Sequence, residues 1–142
     1  MVVYQAFSIE HIPLALELWE STDHIGLSSA DEPEALTRYL ARNPGFSFVA
    51  LAAGELAGAV LCGHDGRRGF IHHLAVAPSY RKGGVGSRLL DLCLESLSQA
   101  GIFKCHAFVF RNNPYGELFW QPRGWQRRDE LFLYSRSIEE VR

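Results

Sequence analysis

The pattern of apolar and polar positions predicts strands and helices in alternation along the chain. Residues 2–7 fit a strand, and the next segment fits a helix. Its apolar residues share one helical face: Ile12, Ala15, Leu16 and Trp19. The periodicity is lost over residues 21–30, which predicts a polar loop. A second helix is predicted to start at Asp31, a good N-cap with Glu34 three residues later, and to stop at residues 43–45.

The middle of the chain predicts an antiparallel hairpin, a buried strand and a long helix. Residues 46–53 and 56–63 are apolar runs joined by a tight Gly-Glu connection. Residues 70–76 read as a strand that Pro78 ends, because proline cannot donate to a sheet ladder. An amphipathic helix follows, from about residue 84 to residue 100.

The last third predicts two more strands and a short helix. The strands cover residues 104–110 and 127–138, and the helix between them opens at Asn113 and ends at Pro122. Since a helix separates the strand at 104–110 from the one at 70–76, we expect these two to be parallel neighbours through a right-handed crossover. The order β-α-α-β-β-β-α-β-α-β predicts a mixed α/β sheet with helices on both faces.

Length, net charge and cysteine spacing limit the number of domains, the partners and the cellular location that we expect for this protein. With 142 residues, the chain suits one domain, residues 1–142. The net charge of −2 gives no basic stripe, so we expect no nucleic-acid partner, and no apolar run reaches the length of a membrane span. Cys62, Cys93 and Cys105 lack CxxC spacing, and no apolar leader opens the chain. We therefore expect a reduced, cytoplasmic location and no metal site.

The segment between the strand at 70–76 and the long helix predicts a phosphate-binding loop. Gly83, Gly84 and Gly86 have no Cβ, so an anion can approach N–H groups that a helix N-terminus leaves unpaired. The helix dipole adds a positive end there. Two known glycine signatures do not fit. A dinucleotide fingerprint needs a small residue where Leu89 stands, and a nucleotide P-loop needs Lys-Ser/Thr after Gly86, where the sequence has Ser-Arg.

The pattern that does fit is Arg-x-x-Gly-x-Gly, at Arg81, Gly84 and Gly86, preceded by Leu-Ala-Val-x-Pro at 74–78. This pattern resembles the acetyl-coenzyme A loop of the GCN5-related N-acetyltransferases, the GNAT superfamily. The alternative is a strand-to-helix turn softened by glycines. The predicted order of elements is also the GNAT order, which favours the resemblance.

A second motif supports the same family. Members often carry Asn-x-x-Ala-x-x-Leu-Tyr-x-x-x-Gly-Phe after the fifth strand, and residues 113–125 resemble that run. Asn113, Gly124 and Trp125 match in kind. Gly116 replaces the alanine, and Trp120 replaces the tyrosine.

The resemblance implies a single N-acetyltransferase domain with acetyl-CoA as co-substrate. Its sheet is mixed and mostly antiparallel, with six to seven strands, of which the fourth and fifth are parallel and splayed. The pantetheine arm lies in the gap and the pyrophosphate lies on the loop. The implied cofactor-binding residues are Leu74, Ala75, Val76, Arg81, Lys82, Gly83, Gly84, Val85, Gly86, Ser87 and Asn113. We expect the side chains of Leu74 and Val76 to be packing residues whose backbone is functional.

The implied reaction is direct transfer of acetyl from the thioester to an amine through a tetrahedral intermediate. An alkylamine with a pKa near 10.4 is mostly protonated at pH 7, so a proton acceptor helps. His72 and His73 are candidates, and only one of them can face the site unless a bulge intervenes. We choose His72 as the catalytic base, because it lies four residues before Val76, where the similar serotonin N-acetyltransferases carry a histidine. A histidine that merely caps the sheet is the alternative, and His106 is a weaker candidate.

Trp120 departs from the family at the residue that often acts as general acid. An indole N–H donates a hydrogen bond but releases no proton at useful pH, so catalysis is weakened rather than excluded. Tyr115 either reaches in from the same helix or lies on the surface. The sequence therefore predicts an acetyl-CoA-dependent N-acetyltransferase acting on a primary amine of a small molecule or a protein. The alternative is a non-catalytic acyl-CoA-binding regulatory module.

No residue pattern names the acceptor amine. The first two helices and their loop carry candidates for binding it, which also fit a solvated loop: Trp19, Asp23, His24, Asp31 and Glu32. The late strands carry aromatic residues at alternating positions, which fit either a homodimer edge or the core: Phe108, Phe110, Phe132 and Tyr134.

Overall fold

The computed structural model describes residues 1–140, which form two compact units with a boundary between residues 110 and 111. The first unit contains five strands: β1 (Val3–Ala6), β2 (Phe48–Ala52), β3 (Glu55–His64), β4 (Gly69–Val76) and β5 (Cys105–Ala107). It also contains three helices: α1 (Ile12–Glu20), α2 (Pro33–Arg42) and α3 (Val85–Gln99). The second unit contains α4 (Gly116–Trp120), which runs into a 3₁₀ turn at Gln121–Arg123.

The five strands form one sheet in the order β1-β2-β3-β4-β5. β1 to β4 pair antiparallel, and β4 and β5 pair parallel. The predicted mixed sheet, the β2–β3 hairpin and the parallel pair are therefore confirmed. No helix within residues 1–140 is long and apolar enough to cross a bilayer.

The predicted number of six to seven strands was wrong, because the part of the chain that the structure describes contains five. The strand expected over 127–138 is absent. Its apolar residues are exposed instead, with Phe132 at 81% and Tyr134 at 91%. Alternating apolar residues favour a strand, but a strand forms only where a neighbouring strand supplies the other half of the ladder. Residues 127–138 have no such partner among the described residues.

The two faces of the sheet are packed by different helices. α1 and α2 bury one face through a core in which Trp19, Leu36 and Val49 are almost fully inaccessible to solvent. α3 covers the other face and lies very close to it, since a Cβ at Gly69 would stand 2.5 Å from Cδ1 of Leu97. A larger residue at Gly69 would therefore have to displace the side chain of Leu97.

The start of α2 differs from the prediction that Asp31 caps the helix. Helix α2 begins at Pro33 with Glu32 in the capping position. Asp31 ends a 3₁₀ turn at Ser29–Asp31, and its Oδ2 accepts the backbone N–H of Ser28 at 3.0 Å. Its carboxylate is thus directed away from the helix and is available to a group from elsewhere in the fold.

β4 contains a bulge in its middle. His72 lies opposite Leu61 of β3, whereas Ala75 lies opposite Ala59, so two residues of β4 face one residue of β3. The first of these two, His73, has a φ of 54°, in the left-handed region that few residues other than glycine adopt. Side chains therefore do not alternate regularly along this strand.

Candidate active site

β4 and β5 diverge after a short parallel ladder. They pair from Gly69 with Cys105 to Ile71 with Ala107. β4 then continues to Val76, and no strand within residues 1–140 pairs with this stretch on its β5 side. The backbone from His72 to Val76 consequently borders a gap, as predicted for splayed strands.

The bulge changes which amides of β4 face this gap. The N–H of Gly69 donates to the carbonyl of Lys104 on the β5 side at 2.9 Å. The N–H of Ala77 donates to the carbonyl of Ala57 on the β3 side at 2.8 Å. Gly69 and Ala77 are an even number of residues apart, so a regular strand would direct both N–H groups to the same side. Along a strand, N–H groups two residues apart point to the same side. The N–H of His73 therefore points to the gap side, as that of Gly69 does. The N–H of Leu74 also points there, because it lies an odd number of residues before Ala77, whose N–H points to β3. Two successive amides therefore serve the gap side.

The segment after β4 forms a loop at the N-terminus of α3. A 3₁₀ turn at Pro78–Tyr80 leads into it, and Gly84 caps α3 with φ 85° and ψ 6°. The first backbone bond of the helix runs from the N–H of Arg88 to the carbonyl of Gly84 at 3.0 Å. The amides of Val85 and Gly86 therefore precede the helical ladder.

The loop has the properties expected of an anion cradle. A Cβ at Gly84 would meet no atom within 4 Å, so the space before the helix end is open. Lys82 has a φ of 66° and an exposed side chain. The Nε of Arg81 donates to the carbonyl of Val76 at 2.9 Å, which ties the loop to the end of β4. Backbone donors, helix dipole and basic residues together fit a pyrophosphate.

His72 lies at the other end of the free β4 stretch, among aromatic rings. The ring of Phe108 stacks on it at 5.8 Å between centroids, with 12° between the planes, and the ring of Tyr39 meets it edge-on at 6.3 Å. Burial lowers the pKa of His72, and the nearby His73 lowers it further, whereas Asp31 raises it. The imidazole is therefore neutral at pH 7 and able to accept a proton.

His73 lies on the same face of the sheet as His72, because the bulge cancels the usual alternation. The two ring centroids are 6.4 Å apart. The Nε2 of His73 lies 2.9 Å from Oδ1 of Asp31, and its ring lies 5.2 Å from that of Trp19. Since a carboxylate only accepts, this imidazole carries a proton on Nε2. The side chain of His73 is thus held by Asp31 and Trp19, whereas His72 borders the gap and contacts the rings of Phe108 and Tyr39.

The other sequence candidates occupy varied environments. Trp19 is fully buried in the core, so it cannot bind an acceptor amine. Asp31 is also buried and is engaged by His73. Asp23 and Glu32 are exposed. His106 packs against Phe70, with 5.8 Å between centroids.

Phe108 and Tyr39 contact His72, and the sequence did not identify either as a candidate for the site. The apolar pattern placed Phe108 on the strand after α3 and Tyr39 on α2. The parallel pairing of β4 with β5 brings one ring to His72, and the packing of α2 on the sheet brings the other. No local signal in the sequence indicated that both would meet the same histidine.

Three residues that the second motif singled out lie in the second unit and are described within it: Asn113, Tyr115 and Trp120. Oδ1 of Asn113 accepts the backbone N–H of Tyr115 at 3.0 Å, which stabilises the turn before α4. The ring of Trp120 packs edge-on against Trp125, with 4.8 Å between centroids. Tyr115 is 70% exposed and precedes α4 rather than lying on it.

Two of the three cysteines, Cys93 and Cys105, have raised pKa values. Burial raises the pKa of Cys105 to about 12. A hydrogen bond with Cys62 and burial both raise the pKa of Cys93. Within residues 1–140, no group of three or more His, Cys, Asp or Glu residues is arranged to hold a metal ion.

A parallel strand pair that splays beside a glycine loop at a helix N-terminus defines a class of protein. This is the arrangement of acyl-CoA-dependent transferases that the sequence motifs predicted.

Comparison with known proteins gives the same class. The family model described as "Acetyltransferase (GNAT) family" matches residues 14–125, which is most of the chain, and the chain therefore belongs to that family. An acetyltransferase of Pectobacterium atrosepticum is 29% identical over 135 residues, covering 94% of both chains. An acetyltransferase of Sodalis glossinidius is 29% identical over 126 residues, covering 88% of this chain and 87% of the other.

A solved structure shares the fold. The PaiA N-acetyltransferase of Thermoplasma acidophilum, crystallised with coenzyme A, superposes with a TM-score of 0.75 at 22% identity, covering 91% of this chain and 92% of that one. The predictions of a GNAT fold and of an acyltransferase enzyme are confirmed, and acetyl-CoA as co-substrate agrees with the family.

Proposed function

We propose that the protein transfers an acetyl group from acetyl-CoA directly to a primary amine, on a small molecule or an exposed protein surface. The observation that carries this proposal is the free edge of β4, which runs from His72 to the loop that begins at Arg81. The four steps from His72 to Val76 span roughly 13 Å at about 3.3 Å per residue. An extended thioester arm fits along such an edge, with its phosphates at the helix N-terminus.

The residues proposed to hold acetyl-CoA divide into two groups. Backbone groups of the free strand edge would bond the arm, and the loop would bond the pyrophosphate. The proposed set is Leu74, Ala75, Val76, Arg81, Lys82, Gly83, Gly84, Val85, Gly86, Ser87 and, from the second unit, Asn113. When bound, acetyl-CoA supplies an activated acyl group to the end of the gap where His72 lies.

In this proposal His72 is the base that accepts a proton from the amine. Its lowered pKa keeps the imidazole neutral at pH 7, which is the form a base requires. The amides of His73 and Leu74 are proposed to stabilise the developing oxyanion, because preorganised backbone donors are effective where water is excluded. His72 alternatively removes the proton through a bound water.

A direct route, without an acyl-enzyme, is supported by the state of the cysteines. A nucleophilic cysteine needs a thiolate at neutral pH. Burial raises the pKa of Cys105 to about 12, and the pKa of Cys93 is raised by its hydrogen bond with Cys62 and by burial. Both remain thiols at pH 7, which favours transfer of the acetyl group straight to the amine.

Release of free CoA thiol from acetyl-CoA tests the proposal. The panel comprises polyamines, amino acids, aminoglycosides, arylalkylamines and lysine peptides. Thiol release with one class, with acetylated amine in the product, would support the transferase and identify its acceptor. Release with none, while acetyl-CoA still raises the melting temperature, would favour the acyl-CoA-binding regulatory module instead.

We also propose a homodimer, one of the two arrangements that the late aromatic residues left open. It is supported by exposed aromatic residues in each unit, namely Phe108 and Phe110 in the first, at 57% and 55%, and Phe132 and Tyr134 in the second. Sedimentation equilibrium tests it directly. A mass of twice the 15.9 kDa chain at micromolar concentration would support the dimer, and the mass of one chain would remove it.

A further inference from the structure

The pair formed by His73 and Asp31 joins the bulge of β4 to the 3₁₀ turn before α2. Its partners are 42 residues apart in sequence, and both side chains are largely inaccessible, at 18% exposure for His73 and 8% for Asp31. Asp31 uses its other oxygen to accept the N–H of Ser28 at 3.0 Å. Trp19 covers the His73 ring at 5.2 Å between centroids. The contact therefore joins three elements: β4, the 3₁₀ turn at Ser29–Asp31, and α1 through Trp19.

His73 adopts a conformation that its own side chain does not favour. A φ of 54° is uncommon for residues that carry a Cβ, and such a conformation persists only where the surroundings determine it. The contacts with Asp31 and Trp19 are the surroundings that act on this side chain. A regular strand would carry His73 to the opposite face and separate it from both.

The consequence for the backbone follows from the amide directions. The bulge is the point where amides switch sides, since the N–H of Gly69 and that of Ala77 point to opposite neighbours. Without the bulge, the amides of Leu74 and Val76 would turn towards β3 and leave the gap. The contact that maintains the bulge therefore also maintains the donors along the free edge.

We propose that His73 is a positioning residue, whose hydrogen bond with Asp31 holds the left-handed bulge of β4 and so directs the amides of Leu74 and Val76 into the gap beside β5. This inference rests on the proposed function, because those amides are the ones proposed to bind the thioester arm and the oxyanion. The side chain of His73 need not touch the substrate, and its effect passes through the backbone.

Variants of His73 and Asp31 test the proposal through kcat and through acetyl-CoA affinity measured by calorimetry. His73→Ala removes the pair and retains a Cβ that disfavours the bulge, so kcat should fall about 10- to 100-fold, the effect of displacing reacting groups by about 1 Å. Acetyl-CoA affinity should fall with it. His73→Gly also removes the pair but accepts the left-handed conformation, so its kcat should lie between those of His73→Ala and the parent.

Asp31→Ala completes a double-mutant cycle with His73→Ala. If the two residues act as one contact, the double variant should lose no more kcat than the more damaging single variant. His64→Ala is the matched control, because His64 is another half-buried histidine, whose Nδ1 accepts the backbone N–H of Gly66 at 3.0 Å and whose ring packs on that of Phe46. It lies at the far end of β3, and its kcat should equal that of the parent.

Two outcomes would overturn the proposal. In the first, a folded His73→Ala protein keeps kcat and acetyl-CoA affinity within about twofold of the parent. In the second, His73→Gly is as impaired as His73→Ala, which would point to a role of the imidazole itself. If the parent acetylates no amine, the proposed transfer fails, but calorimetry with acetyl-CoA still decides whether His73 positions the strand edge.

Discussion

At the scale of the residue, the proposed chemistry depends on the protonation state of His72. Burial lowers its pKa below the ordinary value of 6.5, so the neutral base predominates at pH 7 and is lost only as the pH falls through that lower pKa. His72→Gln should lower kcat/KM at pH 7 by about 100-fold or more, the usual contribution of a general base. The loss should shrink above about pH 8, because the free amine becomes more abundant.

The pH profile of kcat/KM between pH 5 and 9 measures this effect. His64→Gln is the control, since His64 is a half-buried histidine distant from the gap. A profile for His72→Gln with the parent's acidic limb would show that another group, or water alone, is the base.

Phe108 provides a second test at this scale. Its ring stacks on His72 and contributes to the burial that lowers the pKa of His72. Phe108→Ala should hydrate the imidazole and raise this pKa towards 6.5, so the acidic limb of kcat/KM should move to higher pH. NMR titration of the imidazole measures the same shift without turnover. Phe103→Ala, which removes an 82% exposed ring just before β5, should leave the limb unchanged.

The residue scale also shows what the sequence could not predict. Regular alternation along a strand predicted that only one of His72 and His73 would face the site, but the bulge places both on one face of the sheet. That bulge is held by Asp31, which local pattern assigned to helix capping. A contact between residues 42 apart overrides both local preferences, and a single sequence does not indicate such a contact.

At the scale of the element, the loop and helix after β4 were predictable because their signals are local. Glycines at a helix N-terminus favour a loop that an anion can approach, and Gly84 does adopt the left-handed conformation that glycine favours. The strand at 127–138 was not predictable in the same way, since it would need a partner strand. Apolar residues do occur at alternating positions within residues 127–138, but the strand that this pattern predicted does not form.

Gly84→Asp tests the cradle. The carboxylate would face the proposed pyrophosphate, so acetyl-CoA affinity should fall at least about 100-fold, or about 2.7 kcal/mol. Gly101→Asp is a matched control, because Gly101 also has a left-handed φ, of 80°, and open space around its Cα, but it lies beyond the far end of α3. Calorimetry should show parental affinity for Gly101→Asp. Equal affinities for the two variants would place the pyrophosphate elsewhere.

At the scale of the whole molecule, the five strands and three large helices of the first unit followed from sequence, whereas in the second unit only the short helix did. Periodic apolar faces on α1, α2 and α3 fix what each helix buries, so the layers of the first unit were predictable. Residues 111–140 contain one five-residue helix and many exposed apolar side chains. Because so little apolar surface is buried there, the pattern of apolar and polar residues does not determine the structure of this unit.

Ligand binding to the folded molecule provides the last prediction. Acetyl-CoA at 100 times its dissociation constant should stabilise the native state by about 2.7 kcal/mol, because the unfolded chain has no cradle or free strand edge to bind it. For a chain of 142 residues this corresponds to a rise in melting temperature of about 10 °C. Gly84→Asp should lose the rise, and Gly101→Asp should keep it. A parent protein whose melting temperature does not respond to acetyl-CoA would retain the fold without the binding function, as expected of an interaction domain.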